Sequence, residues 1–214
     1  MNEKGAVVLL SGGLDSSIVV MYLRANGYDV KAGVFVNRSQ SNYDQELTAV
    51  RKVAEYFEIP LLYADFSLPD LSTVLSKEMR KKLGNPARNL ILGAVALPYV
   101  YALDCHLLAL GNIVSDEFPD CNKEFRMKFT AVVSQALDKK VEVVAPLADW
   151  EHWDKTDGIS FVEKNGHSAL FSLTWTCWLN GELHCGHCTA CEGRKDGFIK
   201  AGLIDPTHYE ENRK

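Results

Sequence analysis

A chain of 214 residues, 47% of them hydrophobic, is long enough to bury a core of its own, as one large domain or two small ones. Its 23 basic and 28 acidic residues give a formal charge of −5 with no long block of one sign, which argues against a protein that coats nucleic acid. The apolar runs Ala6–Leu10 and Leu90–Val100 are too short to cross a membrane and the N-terminus has no secretory pattern, so a soluble, cytoplasmic protein is expected.

Over the first 145 residues, short apolar or β-branched runs alternate with longer amphipathic segments, the pattern of βα units building a parallel sheet. Strands are predicted at Ala6–Leu10, Val30–Val36, Leu61–Ala64, His106–Gly111 and Val141–Ala145. The first is almost wholly apolar, as a central strand covered on both faces requires. Helices at Ser16–Asn26, Gln45–Phe57 and Phe125–Leu137 space their apolar residues by three and four. Asn26-Gly27 stops the first of them. Asn85–Leu103, entered through Pro86, reads as a buried helix. Two polar loops, 37–44 (NRSQSNYD) and 112–123 (NIVSDEFPDCNK), follow strand ends, where open α/β sheets bind ligands. Beyond Trp150 the strand pattern fades into a polar helix-like stretch, a cysteine cluster and a last helix near Arg194–Ala201. Trp150 and Trp153 are expected to fill a core or an interface.

Leu10-Ser11-Gly12-Gly13-Leu14-Asp15-Ser16-Ser17 joins the first strand to the first helix. Two glycines let the backbone turn tightly and approach a ligand, and the serines offer hydroxyls where free helix N–H groups and the positive dipole end converge. This is an anion cradle. It lacks the Lys-Ser/Thr ending of the P-loop and the glycine spacing of the dinucleotide fingerprint.

Four of the six cysteines fall in one window with the spacing Cys177-x7-Cys185-x2-Cys188-x2-Cys191. Without a secretory signal, such a cluster points to metal before disulfides, and four thiolates make a closed tetrahedral zinc site. His184 and His187 are possible substitutes, and an iron–sulfur cluster or a redox CxxC pair stands as an alternative. Cys105 and Cys121 read as a strand thiol and a loop thiol, and His106, His152 and His167 have no site-like spacing.

The SGGLDSS loop resembles that of the PP-loop ATP pyrophosphatases. Further along stand NPARNL (85–90), a GN…D…PDC…EF element (111–125), APL (145–147) and LTWTC…CGHCTAC…RKDGF…AGLIDPT (173–207). Together these resemble the 7-cyano-7-deazaguanine synthase family over nearly the whole chain. The resemblance implies a Rossmann-like ATP-binding α/β domain over 1–149 and a small zinc-binding lobe over 150–214 that completes the substrate site. It further implies ATP, Mg²⁺, structural Zn²⁺, 7-carboxy-7-deazaguanine and ammonia as ligands or substrates, and a homodimer. By matching position, Leu10, Ser11, Gly12, Gly13, Leu14, Asp15, Ser16 and Ser17 bind the ATP phosphates, with Asp15 also holding magnesium as the catalytic carboxylate. Arg88, Asn89, Asp116 and Asp120 bind substrate, Lys195 adds positive charge near the site, and Cys177, Cys185, Cys188 and Cys191 hold zinc.

Two segments depart from the family pattern. A YGQRH-like stretch is replaced by NRSQSNYDQEL, and the PDC element is preceded by Glu117-Phe118 and followed by Asn122 in place of Gly-Tyr and Arg. Altered acceptor-side loops beside intact ATP and zinc motifs fit a second reading. In it the deazaguanine is activated in the same way and joined to an amine of a partner protein, as in relatives from antiviral defence systems. A third reading is a tRNA-modifying PP-loop enzyme with a zinc ribbon, against which the acidic balance of the chain counts.

Overall fold

A computed structural model describes residues 4–66 and 87–210. Its centre is a five-stranded sheet, β1 (Gly5–Leu9), β2 (Asp29–Asn37), β3 (Leu61–Asp65), β4 (Leu107–Ala109) and β5 (Glu142–Val144), in the order β3-β2-β1-β4-β5. Every pair is parallel, which requires a crossover between successive strands. The expected α/β fold is therefore present. β1 is central, and Ala6, Val7 and Val8 are fully buried. Ala6 and Val8 face one core and Val7 the other, the period-two alternation of a strand covered on both sides.

The helices are α1 (Leu14–Ala25), α2 (Tyr43–Tyr56), α3 (Arg88–Ala102), α4 (Lys123–Leu137), α5 (Pro146–Asp149), α6 (Lys155–Lys164), α7 (Ala169–Leu173) and α8 (Thr189–Lys200). α3 and α4 cover one face through Ala96, Val100, Phe129 and Val133. α1, α2 and the C-terminal helices cover the other, where Ile18, Val50, Ile159, Val162, Leu170 and Phe198 share one cluster. Each such fully buried apolar side chain contributes about 1.5–3 kcal/mol. Packing is thus continuous across residue 150, and α6 and α8 lie against each other and position α1.

The shifts from the predicted bounds have local causes. α1 begins at Leu14 because Gly13 is extended and caps it, with the Ser17 hydroxyl donating to the Gly13 carbonyl. α4 begins at Lys123 because the Asn122 side chain accepts the Phe125 N–H at 2.8 Å. α8 begins at Thr189, ahead of the predicted Arg194, because Cys188 ends the cysteine turn as its cap. The polar stretch after Trp150 is α6, opened by a reciprocal cap between Asp154 and Asp157. β4 and β5 are shorter than predicted, since only Leu107–Ala109 pair with Glu142–Val144. Asn85 and Pro86, predicted to enter α3, lie outside the described residues. Trp153 packs on the core, whereas Trp150 is 38% exposed and stacks on Tyr28. Among the described residues, no helix is long and apolar enough to cross a membrane.

Candidate active site

β1 leads through α1 to β2 on one side and pairs with β4 on the other, so the strand order reverses between β1 and β4. The glycine loop leaves the sheet at this switch point. Gly12 has φ +77°, and a Cβ placed there would lie 2.6 Å from the Val50 amide nitrogen and 2.9 Å from the Glu46 carbonyl oxygen. Only glycine lets the turn and the α2 backbone meet this closely. The Gly13 N–H donates to Ser11 Oγ at 3.3 Å, Ser16 Oγ donates to the Gly13 carbonyl at 3.2 Å, and Ser17 Oγ does so at 2.7 Å. Gly111, just past β4, would bring a Cβ to 3.0 Å from the Ser16 backbone, so the second glycine approach walls the cradle from the far side. The residues Leu10 to Ser17 are thus gathered around one helix N-terminus, whose unpaired first-turn N–H groups and positive dipole end attract an anion. Gly12→Ala is expected to cost about 1–2 kcal/mol in the left-handed backbone alone and to push α2 off the loop. A melting temperature lowered by several degrees and nucleotide affinity weakened about tenfold or more would be read by thermal melting and calorimetry. Unchanged affinity would show that this turn does not shape the cradle.

Asp15, in the first turn of α1, is not free. Lys155 Nζ lies 2.7 and 2.6 Å from its two carboxylate oxygens. Sequence reasoning missed Lys155, because 140 residues separate the pair and a lone lysine after a helix cap carries no motif. Lys195, the cation predicted near the site, stands on α8 beside the cysteine turn. Lys195 Nζ donates to the Gly186 carbonyl at 2.9 Å and lies over the Tyr209 ring, inside the cysteine segment.

The predicted substrate residues gather around Cys121, in the segment that follows β4 and at the start of α3. Asp120, in a 3-10 turn over Pro119–Cys121, accepts the Asn89 N–H at 2.7 Å and so caps α3 from a distance. The Asn89 amide donates to Cys121 Sγ at 3.0 Å, and the Asn112 amide donates to the same sulfur at 3.3 Å and to Asp116 at 3.1 Å. Burial, then the Asp116 and Asp120 charges, pushes the Cys121 thiol up to about 11 against the opposing influence of Arg88 and Asn89. The thiol therefore serves as a neutral anchor. Asn112 and Arg126 were not singled out from the sequence. Arg126 is 2% exposed, forks onto Asp149 and donates to the Cys121 carbonyl, while Asp149 accepts the Ala145 N–H. This one buried guanidinium joins the PDC turn to the APL segment. A cavity of about 530 Å³ bounded by α2, Leu173–Trp175 and Pro206–His208 is lined by part of the LTWTC and AGLIDPT elements but by none of Leu10–Ser17, Arg88, Asn89, Asp116 or Asp120, so the anion-binding chemistry at the switch point, not volume, locates the site.

Cys177, Cys185, Cys188 and Cys191 place their Sγ atoms within 4.8 Å of one another. Cys185–Cys191 and Cys177–Cys188 are each separated by 4.0 Å, too far for a disulfide and close to the roughly 3.8 Å edge of a tetrahedron with Zn–S bonds of about 2.3 Å. A cluster with one thiolate per iron needs wider spacing, so the donor set fits a single ion. N–H groups of Leu179 and Cys185 point at Cys177 Sγ, and those of His187 and Cys188 at Cys185 Sγ. Burial opposes charge on Cys188, yet the Trp178 and Cys191 N–H groups outweigh it and pull its thiol down to about 7. The histidines offered as substitutes are otherwise engaged. His184 Nε2 accepts the Thr176 N–H at 3.0 Å and is held neutral, near 4, by burial and Arg194, and His187 Nδ1 pairs with the Cys185 carbonyl. The cysteine segment also touches the cradle. The Trp175 N–H donates to the Gly12 carbonyl at 2.9 Å, and the Asn42 amide bridges Glu46 and the Cys177 carbonyl.

The family model of queuosine biosynthesis protein QueC matches residues 5–202. A 7-cyano-7-deazaguanine synthase of Methanothrix thermoacetophila is 30% identical, covering 96% of this chain and 98% of that protein. One of Methanocaldococcus jannaschii is also 30% identical, over 96% of this chain and 99% of its own length. A 7-cyano-7-deazaguanine synthase of Sulfolobus acidocaldarius is 33% identical over 98% of the chain, which spans only about half, 48%, of that relative's length. With the family model covering nearly the whole chain and the glycine turn, PDC anchor and thiolate tetrahedron in place, the chain belongs to the QueC family of queuosine biosynthesis proteins.

Proposed function

We propose that this chain converts 7-carboxy-7-deazaguanine, ATP and ammonia into 7-cyano-7-deazaguanine. The observation that carries the reading is the Leu10–Ser17 cradle at the switch point, against which Gly111 packs at the start of the segment that carries Asp116 and Asp120. A carboxylate oxygen is a poor leaving group, and transfer of AMP to it makes it a good one. The substrate carboxylate attacks the α-phosphorus of ATP and pyrophosphate departs into the cradle, where N–H groups and the helix dipole stabilise its charge. Ammonia then adds to the acyl carbon and AMP leaves with the carboxylate oxygen, giving the amide and one proton. A second ATP adenylates the amide oxygen, and loss of AMP and a proton leaves the nitrile.

Asp15 is the residue placed to hold magnesium on the phosphates, where the ion would neutralise charge on the departing pyrophosphate. The guanine-like edge offers N–H donors, and each of Asp116 and Asp120 has an acceptor oxygen to meet them. Zinc on the four thiolates is structural in this reading, because a closed tetrahedral shell leaves no position for substrate. The altered 37–44 loop supports a second reading, in which the same adenylate is attacked by a protein amine. Its side chains Arg38, Gln40 and Asn42 converge on the Glu46 carboxylate, a different arrangement from an exposed basic segment.

The purified protein, 7-carboxy-7-deazaguanine, Mg-ATP and ammonium, followed by mass spectrometry, tests the choice. Nitrile that is lost by at least about a hundredfold in Asp15→Ala supports the synthase. Pyrophosphate release with adenylate or amide but no nitrile supports the amine acceptor. No ATP-dependent change in the base overturns both.

A further inference from the structure

Lys155 reaches Asp15 along a prepared track. It is the first residue of α6, fixed there by the Asp154 carboxylate, which accepts the Thr156 and Asp157 N–H groups at 2.7 and 3.1 Å. Its methylene stem then lies along α8. A Cβ on Gly197 would stand 3.2 and 3.5 Å from Lys155 Cγ and Cβ, and one on Gly193 would stand 3.9 Å from Cε. Gly193 and Gly197 are four apart and so share one helix face. At Gly197 a side chain would crowd Ile159 Cδ1 at 2.9 Å as well as the lysine stem, so glycine there lets α6 and the stem lie close to α8, while at Gly193 the stem makes ordinary contact. The same helix carries Cys191 of the thiolate tetrahedron, so the metal lobe and the Asp15 ion pair share a support.

At the end of the track the ammonium takes both oxygens of Asp15. A carboxylate so engaged keeps lone pairs for a metal, but its charge is already met by the ammonium, and a divalent ion placed on it would repel the lysine. The pair is 18% and 28% exposed, which decides its character. A dry ion pair would be a lock, because breaking it strands two buried charges, whereas a partly hydrated one is weak and exchangeable. We infer that Lys155 is the resident cation of Asp15, a positioning residue that neutralises the carboxylate until a divalent metal arriving with a polyphosphate takes its place. The inference rests on the reading of the cradle as an ATP site. Its consequence is that an anionic triphosphate can enter the cradle without meeting a bare carboxylate, and metal exchange follows.

The test is calorimetric binding of α,β-methylene-ATP to the full-length protein with its metal lobe intact, once in Mg²⁺ and once in EDTA. In Lys155→Met the metal-free affinity is expected to fall about tenfold, from exposure of the Asp15 charge, while affinity with Mg²⁺ changes by less than about threefold. The gain conferred by Mg²⁺ is thus larger than in the unaltered protein. Adding Asp15→Asn to Lys155→Met restores metal-free binding, and Lys155→Arg keeps the original ratio. Thermal melting of each variant guards against misfolding. Equal losses in both buffers, or a double variant no better than Lys155→Met, overturn the inference while leaving the ATP site standing. No binding by the unaltered protein in either buffer overturns the ATP site itself, and the inference with it.

Discussion

Replacing Arg194 with alanine is expected to destabilise the protein by about 3–5 kcal/mol and to lower its melting temperature by roughly 10 °C. Arg194 is fully buried on α8, where its guanidinium has a partner on every side. Nε faces the Asp205 carboxylate at 3.2 and 3.3 Å, Nη1 donates to Thr174 and Thr176 hydroxyls, and Nη2 donates to the Phe171 carbonyl at 2.8 Å. The Phe198 ring closes the remaining face at 5.3 Å. Removing the cation leaves a carboxylate only 10% exposed with no counter-charge, and it leaves the Phe171 carbonyl with the Thr174 hydroxyl as its remaining partner. A buried pair is weak evidence of net stabilisation, but a half-removed one is costly, and that asymmetry sets the size of the effect. The segment tied down is Phe171–Thr176, which delivers the Trp175 N–H to Gly12. Nucleotide affinity should therefore fall along with stability. A melting temperature within two degrees of the original, measured by calorimetry, would contradict this account.

Cys191→Ser or Cys185→Ser should have the larger effect on integrity, abolishing stoichiometric metal and unfolding the cysteine lobe. Three of the four thiols are buried, and among the described residues their hydrogen-bond partners are backbone N–H groups and one another. Structural zinc contributes roughly 10–16 kcal/mol in small zinc-binding folds, as much as the whole stability of an ordinary domain. The turn that carries the cysteines has little apolar packing of its own, for its cluster consists of Cys177, Cys185 and Cys191 with Trp175, Cys188 and Tyr209 against them. Elemental analysis of the unaltered protein is expected to give about one zinc per chain, with less than about a tenth of that in either variant. Exchange of backbone amides should rise across Trp175–Cys191 and also at Gly12 and Gly13, which a metal site unconnected to the cradle would leave protected.

The sheet was legible because each βα unit writes both of its periods into the chain. The glycine cradle and the thiolate set were legible for a different reason: contiguous residues with a fixed spacing meet one ligand. What escaped lies between segments. Lys155 and Arg126 are single polar residues, distant in the chain from Asp15 and Asp149, and nothing near them in sequence announces the partner, while Asn112 shares the GN…PDC element with Cys121 without any sign of the contact between them. Lys195 illustrates the converse. It stands next to Arg194 in a recognisable motif, but helix geometry turns it toward Gly186 and Tyr209 while α6 supplies the cation at the cradle. Asp116 and Asp120 were legible as carboxylates near a ligand loop, though not as the residues that also cap Ile113 and Asn89.

The central claim is that a carboxylate oxygen of the deazaguanine attacks ATP in the Leu10–Ser17 cradle. The most direct test is to supply 7-carboxy-7-deazaguanine labelled with oxygen-18 in its carboxylate and to analyse the nucleotide released. Adenylation predicts that label appears in AMP, one atom for each amide formed and a second, in another AMP, for each nitrile, with pyrophosphate unlabelled. Label in inorganic phosphate, or AMP formed without label, would show that the oxygen is activated elsewhere or by other chemistry, and would contradict the assignment of this site.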